Sequence, residues 1–195
     1  MASYVSSLLS FAQQVAPGNT RITESVDHGG GPIFDMGVYR INAARYLFRD
    51  EPTEILATSA SRNDPRFKEV EEMTAVTMKF PGDRVAAFVA SFGAADISRY
   101  TLVGTKGLLT ADPAYECSEA LNLRIDIGNK SRKPKYPKRD QFAAEISFFS
   151  DCILNDKEPE PSGEEGLADV RVVEAIYESA RSGRLVGLPP LTRKP

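Results

Sequence analysis

The sequence is short of the side chains on which most metal and triad chemistry rests. It has one histidine, His28, and two cysteines, Cys117 and Cys152, which lie far apart and form no CxxC pair. A single imidazole excludes histidine-based zinc sites and Ser-His-Asp arrangements, so no metal is expected. The cysteines hint only weakly at a reducing compartment, and a cytoplasmic location is expected. No apolar run approaches the roughly 18 residues that a membrane span needs, and no membrane association is expected. The N-terminal stretch MASYVSSLLSFAQQV has no basic n-region and reads as a strand over 3–15 rather than a signal peptide. A chain that begins inside a strand suggests a piece of something longer. Neither GxGxxG nor GxxxxGK[ST] occurs, so no nucleotide-binding loop is recognisable. A net charge of −3 removes any global field that would recruit nucleic acid.

Against these absences, 195 residues with 42% hydrophobic and 26% charged content suffice for one domain with a real core. The stretch Gly29–Phe48, GGGPIFDMGVYRINAARYLF, stands out. Three glycines run into Pro32, which suits a first helical turn where its missing N–H costs nothing. The spacing predicts a helix over 32–48 of about four turns. Asp35, Tyr39, Asn42 and Tyr46 recur at helical steps and share one face, with Ile33, Met36, Ile41, Ala44 and Leu47 around it. A polar stripe at a glycine-made helix start is one way to build a site on a rigid element. A first-turn Asp is also ordinary dipole complementation, and a helical Tyr is commonly core.

Alternating patterns predict strands over 53–59, 69–80, 84–92, 98–103, 108–111 and 121–127, joined by the turns Pro81-Gly82-Asp83 and Gly104-Thr105-Lys106-Gly107. The 84–92 strand is apolar or small on both faces, so both are expected to be covered, one by helices and the other by a partner subunit. Residues 128–139 carry six basic residues and no acid. A solvated loop is favoured there over a nucleic-acid patch, because only Tyr136 is available for stacking. A helix is predicted over 140–155, with Phe142, Ile146, Phe149 and Ile153 on one face. Ser162-Gly163-Glu164-Glu165 reads as a capping box opening a last helix that Gly183 ends. The tail 184–195 is expected to be extended. One helix, many hairpin-linked strands and two helices make an α+β, two-layer domain: an open, mostly antiparallel sheet with helices on one face.

GGGxxxDxGxYxxN at 29–42 resembles the substrate-domain signature of the Gfo/Idh/MocA oxidoreductases, GGGxxxDxGxHxxD. SxNDxRFxEVEE at 61–72, SGEEGLADVR at 162–171 and AIYESARSGR at 175–184 resemble its glucose–fructose oxidoreductase branch, in collinear order. The resemblance implies that the chain is the C-terminal substrate-binding and oligomerisation domain, 1–195, of a two-domain NAD(P)-dependent sugar oxidoreductase. The Rossmann domain and its EKP lysine are absent from this sequence, so the piece alone is expected to be inactive and not to bind NADP or NAD. A sugar is the expected small-molecule partner, and a homodimer or homotetramer through the sheet face the expected assembly. Tyr39 takes the place of the signature His and Asn42 that of its final Asp. The resemblance gives Tyr39 and Asp35 catalytic roles. Tyr39 would remove a sugar hydroxyl proton as hydride leaves for nicotinamide, and Asp35 would orient the sugar or the lysine. Gly30, Gly31, Asn42, Arg21 and Tyr115 would line the substrate pocket, although Arg21 also reads as a solvated side chain. The competing expectation is a non-catalytic oligomerisation or sugar-binding module.

Overall fold

The computed structural model describes residues 4–19, 26–115 and 120–191. In chain order the strands are β1 (Tyr4–Ala12), β2 (Glu54–Ala60), β3 (Met73–Phe80), β4 (Arg84–Ser91), β5 (Ile97–Gly104), β6 (Gly107–Ala111), β7 (Leu121–Ile127), β8 (Lys130–Arg132), β9 (Lys135–Tyr136) and β10 (Val186–Gly187). They form one ten-stranded sheet ordered β10-β2-β3-β4-β1-β5-β6-β7-β8, with β9 also on β7. Every pairing is antiparallel except that of β1 with β4. The helices are α1 (Val38–Phe48), which continues a π turn at Ile33–Gly37, α2 (Gln141–Leu154) and α3 (Gly163–Ser182). This is the α+β architecture expected from the pattern of strands and helices.

The chain order explains how the site is carried. After β1 the polypeptide leaves the sheet to build α1, then returns at β2 and meanders through β3 to β4, which lies parallel to β1. The β3–β4 hairpin turns at Pro81-Gly82-Asp83, where Gly82 has φ +71 and Asp83 +55. Val76, Met78 and Phe80 of β3 and Ala86, Phe88 and Ala90 of β4 point to one face. They pack there with Ile33, Ile41 and Ala44 from the site helix and Val172, Val173 and Ile176 from α3. Full burial of such side chains contributes about 1.5–3 kcal/mol each. On the other face Leu56, Val85, Val89 and Val103 stay exposed. The expectation that both faces are covered is thus met by this chain on one face only.

α3 follows its sequence signals. Ser162 Oγ accepts from the Glu165 N–H at 3.3 Å, and Gly183 closes the helix at φ +66. Its Ser179 Oγ accepts from the Ala57 N–H at 2.9 Å and donates to the Arg184 carbonyl at 2.7 Å, which ties the helix to β2. The predicted tail contributes β10, which pairs with β2.

Two expectations need correction. Residues 128–139 are not simply a loop: Lys130–Arg132 and Lys135–Tyr136 pair with β7, because a turn at Gly128 with φ +54 folds the chain back on that strand. Their basic side chains remain exposed, as expected of a solvated face. α2 has the predicted apolar stripe, and Asp140 caps it by accepting from the Ala143 N–H at 2.9 Å. Yet Phe142, Ile146, Phe149 and Ile153 are all exposed; of the whole helix only Cys152 is buried. Among the described residues, no helix is long and apolar enough to cross a membrane.

The β5–β6 hairpin gives a first test. A Cβ at Gly107 would fall on the backbone carbonyl of Asp126 in the neighbouring β7. Sheet backbone cannot give way as a flexible side chain can. Gly107→Ala is expected to cost about 1–3 kcal/mol, the usual range for overpacking, read as a lower urea midpoint with an unchanged slope.

Candidate active site

The glycine run makes a close approach that other residues could not. Gly29 and Gly31 have φ of +81 and +97, the left-handed region that disfavours a Cβ, and Gly30 and Gly31 are buried. Pro32, at φ −67, starts the helical path, and the Asp35 N–H donates to the Gly31 carbonyl at 3.2 Å. The expected α-helix does not begin here. Val38 donates to the carbonyl of Ile33, five residues back, which makes Ile33–Gly37 a π turn. Gly37 fits the wide turn, since a Cβ on it would lie 3.3 Å from the Ile33 side chain. Such π turns are frequently found at functional sites. Helix period alone does not reveal them, and the spacing predicts a uniform α-helix from 32.

This turn changes the expected stripe. Tyr39, Asn42 and Tyr46 all line one open groove of about 1270 Å³, and Tyr115 forms part of its wall. Tyr39 is 60% exposed. Asp35, half-buried one turn earlier, is not in that wall, and neither are Gly30 and Gly31. Arg21 lies outside the described residues. Asn42 is only partly available as a substrate ligand, because its Nδ2 donates to Asp169 Oδ2 on α3 at 3.2 Å.

Two arginines escaped the sequence reading. Arg45, only 4% exposed, donates to Glu51 at 2.7 and 2.8 Å, to Glu165 Oε2 at 2.9 Å and to Asp169 Oδ1 at 2.6 Å. Burial works against its cation, but the hydrogen bonds it donates to Glu51 and Asp169 outweigh this and raise its pKa. Burial pushes the Asp169 carboxyl up even so. Arg45 keeps its charge at neutral pH, since an arginine with these partners does not release its proton. Arg40 is fully buried, and its guanidinium sits 4.5 Å from the centroid of the Tyr115 ring. Nη1 of Arg40 also donates to the Met36 carbonyl. Burial pulls Arg40 down to about 10, against the opposing pull of the Tyr115 and Tyr39 phenols. The Arg40 cation thus lies against the Tyr115 ring and within electrostatic reach of the Tyr39 phenol. Burial also pushes the Tyr115 phenol up.

The groove can hold a polyol, with phenol and amide donors and carboxylate acceptors at its walls. It does not fit the diphosphate of a nicotinamide nucleotide. Its wall sets five acids, Asp50, Glu51, Glu160, Glu165 and Asp169, against two cations, Arg49 and the buried Arg45, which is already engaged by acids. Among the described residues, no group of three or more His, Cys, Asp or Glu side chains is arranged to hold a metal ion.

Comparison with known proteins adds to this geometry. The sequence model of a family described as "Oxidoreductase family, C-terminal alpha/beta domain" matches residues 21–188. A D-xylose 1-dehydrogenase [NADP(+)] of Haloarcula marismortui is 29% identical over 160 residues, covering 82% of this chain and 44% of that protein. The crystal structure of an aldose-aldose oxidoreductase from Caulobacter crescentus, complexed with glycerol, aligns with a TM-score of 0.87 at 33% identity. It covers 95% of this chain and 56% of that one. A 3-ketoreductase from Actinomadura kijaniata, in complex with NADP and TDP-benzene, shares the fold at 23% identity with a TM-score of 0.78. That alignment covers 92% of this chain and 55% of the other. The chain thus spans about half the length of the relatives it matches.

Proposed function

The chain belongs to the Gfo/Idh/MocA oxidoreductase family, as its C-terminal alpha/beta domain, and from that premise we propose that it is the substrate half of an NADP-dependent aldose oxidoreductase. The observation that carries the reading is Tyr39, whose exposed phenol stands in a groove suited to a polyol, at the end of a glycine loop and π turn. In this reading Tyr39 takes the proton of the sugar hydroxyl being oxidised. Asp35, one turn earlier, accepts a hydrogen bond from the sugar or from a lysine outside this chain. Tyr115 and Asn42 shape the wall. The nicotinamide cofactor, NADP or NAD, is held by the remainder of the polypeptide, since the groove does not suit a diphosphate. An aldose is the substrate class because two of the similar proteins are a D-xylose dehydrogenase and an aldose-aldose oxidoreductase.

Residues 1–195 are then one substrate-binding and oligomerisation domain of a longer chain. Two uncovered apolar surfaces support this. The α2 stripe of Phe142, Ile146, Phe149 and Ile153 is exposed among the described residues, and a lone 14-residue helix is marginal in water without a packed face. The remaining half of the polypeptide would supply that cover. The open sheet face, with Val85, Val89 and Val103, suits a second copy of the chain, giving a homodimer or homotetramer.

The test is an assay of two proteins. The complete reading frame is expected to reduce NADP with an aldose such as D-xylose, whereas the 195-residue chain neither turns over nor retains NADP in equilibrium dialysis. An upstream frame without a nucleotide-binding domain would defeat the oxidoreductase reading. It would leave a sugar-binding or oligomerisation module, distinguishable by aldose binding to the 195-residue chain.

A further inference from the structure

Behind the glycine loop lies a pair of groups that the proposed chemistry does not use. Tyr177 of α3 is 8% exposed, and its hydroxyl donates to Glu71 Oε1 at 2.9 Å. Glu71 stands in the segment before β3. Burial raises its carboxyl pKa, opposed by the hydrogen bonds from its own backbone, Tyr177 and Thr74. Burial also pushes the Tyr177 phenol up, so it remains a donor across the neutral range. Among the described residues no cation pairs with Glu71. The adjacent Glu72 differs: it is buried against Arg62, which holds its carboxyl below the usual range. A half-buried acid without a cation is a costly way to fill space, so its contacts must matter.

Those contacts converge on the start of the site. A Cβ at Gly31 would lie 3.1 Å from the Tyr177 hydroxyl and 3.2 and 3.3 Å from the two Glu71 oxygens, so the loop backbone rests on both groups. The Phe34 ring, inside the π turn, stacks on Tyr177 with centroids 5.7 Å apart and planes 25° apart. The Gly31 carbonyl then accepts from the Asp35 N–H. Gly31 and Phe34 are thus both seated on the Tyr177–Glu71 pair, one through its polar end and one through its ring.

We infer that Tyr177 and Glu71 are positioning residues, a seat that holds Gly31 and the π turn in place so that Asp35 and Tyr39 present their side chains in a fixed geometry. The inference rests on the proposed active site for its catalytic consequence, and on contacts within this chain for its structural one. Loss of the Tyr177 hydroxyl leaves the ring stack intact but frees the carboxylate to move under Gly31. A shift of about 1 Å at a reacting group can cost on the order of a hundredfold in rate.

Two measurements test it. In the 195-residue chain, Tyr177→Phe and Glu71→Leu are expected to speed amide hydrogen exchange at Asp35 and Val38 by about tenfold, the upper size for losing one hydrogen bond. Exchange in α3 should stay within about twofold of the parent, and Glu71→Gln, which keeps an acceptor oxygen, should restore slow exchange. Unchanged exchange at 35 and 38, or equal acceleration along the whole chain, would overturn the inference. In the full-length protein, Tyr177→Phe and Glu71→Leu are expected to lower kcat about tenfold or more, with the KM for NADP within about twofold and rescue by Glu71→Gln. Wild-type kcat in Tyr177→Phe beside a dead Tyr39→Phe would sink the positioning role alone. Full turnover in Tyr39→Phe would instead sink the active-site assignment, and the exchange result would still decide the seat.

Discussion

Replacing Tyr39 by Phe in the full-length protein is expected to lower aldose turnover by at least ~10²-fold, the low end for a group that moves a proton in the transition state. The substitution removes one hydroxyl and keeps the ring that lines the groove. Because Tyr39 is 60% exposed, the variant should keep its stability to within about 0.5 kcal/mol, so a loss of rate will not be a loss of fold. The KM for the sugar separates the two ways a phenol could act. A hydroxyl that only binds substrate raises KM and leaves kcat alone, whereas one that takes the proton lowers kcat and kcat/KM together. The second pattern is expected, because Tyr39 is an exposed phenol on the groove wall, where a sugar hydroxyl can meet it. Turnover within threefold of the parent would remove Tyr39 from the chemistry.

The sequence shows where such a group lies more clearly than how it is aimed. Apolar spacing of Ile33, Met36, Ile41, Ala44 and Leu47 predicts a buried helix face; the first four are in the core and Leu47 is partly buried against it. Alternation marked β3 and β4, and Ser162 and Gly183 bracketed α3, because caps and two-residue periods are local properties. The π turn was illegible. It depends on one backbone bond spanning five residues at Ile33–Val38, and on the space beside Gly37. For that reason Asp35 was expected to share a wall with Tyr39 and Asn42 and does not. Arg40 and Arg45 were also illegible, since an arginine inside an apolar stripe reads as a snorkelling surface residue unless its partners are known. The sequence of α3 is equally silent about the Tyr177 hydroxyl. Its partner, Glu71, lies 106 residues away.

The Arg45 cluster leads to the largest stability effect expected. Its guanidinium meets Glu51 at the end of α1 and both Glu165 and Asp169 on α3, so one side chain joins the site helix to the helix that covers the sheet. Arg45→Met keeps much of the volume and removes the charge, leaving three carboxylates facing one another in a mostly buried space. Breaking a buried ion pair on one side costs about 3–5 kcal/mol. For a domain of this length that corresponds to a fall in Tm of roughly 6–20 °C. The variant also carries a diagnostic pH dependence. With the cation gone, the three acids face desolvation and one another, and their folded-state pKa values rise above the unfolded ones. The native state then takes up protons as pH falls through that range, so the deficit against the parent should shrink from pH 7 to pH 4.5. A stability loss under about 1 kcal/mol, or one that grows toward acid pH, would show that Arg45 is not what neutralises these acids. A loss that follows the expected sign would also explain why Asn42 is held to Asp169. With Arg45 in place, the acid that anchors α3 to α1 accepts from both side chains at once.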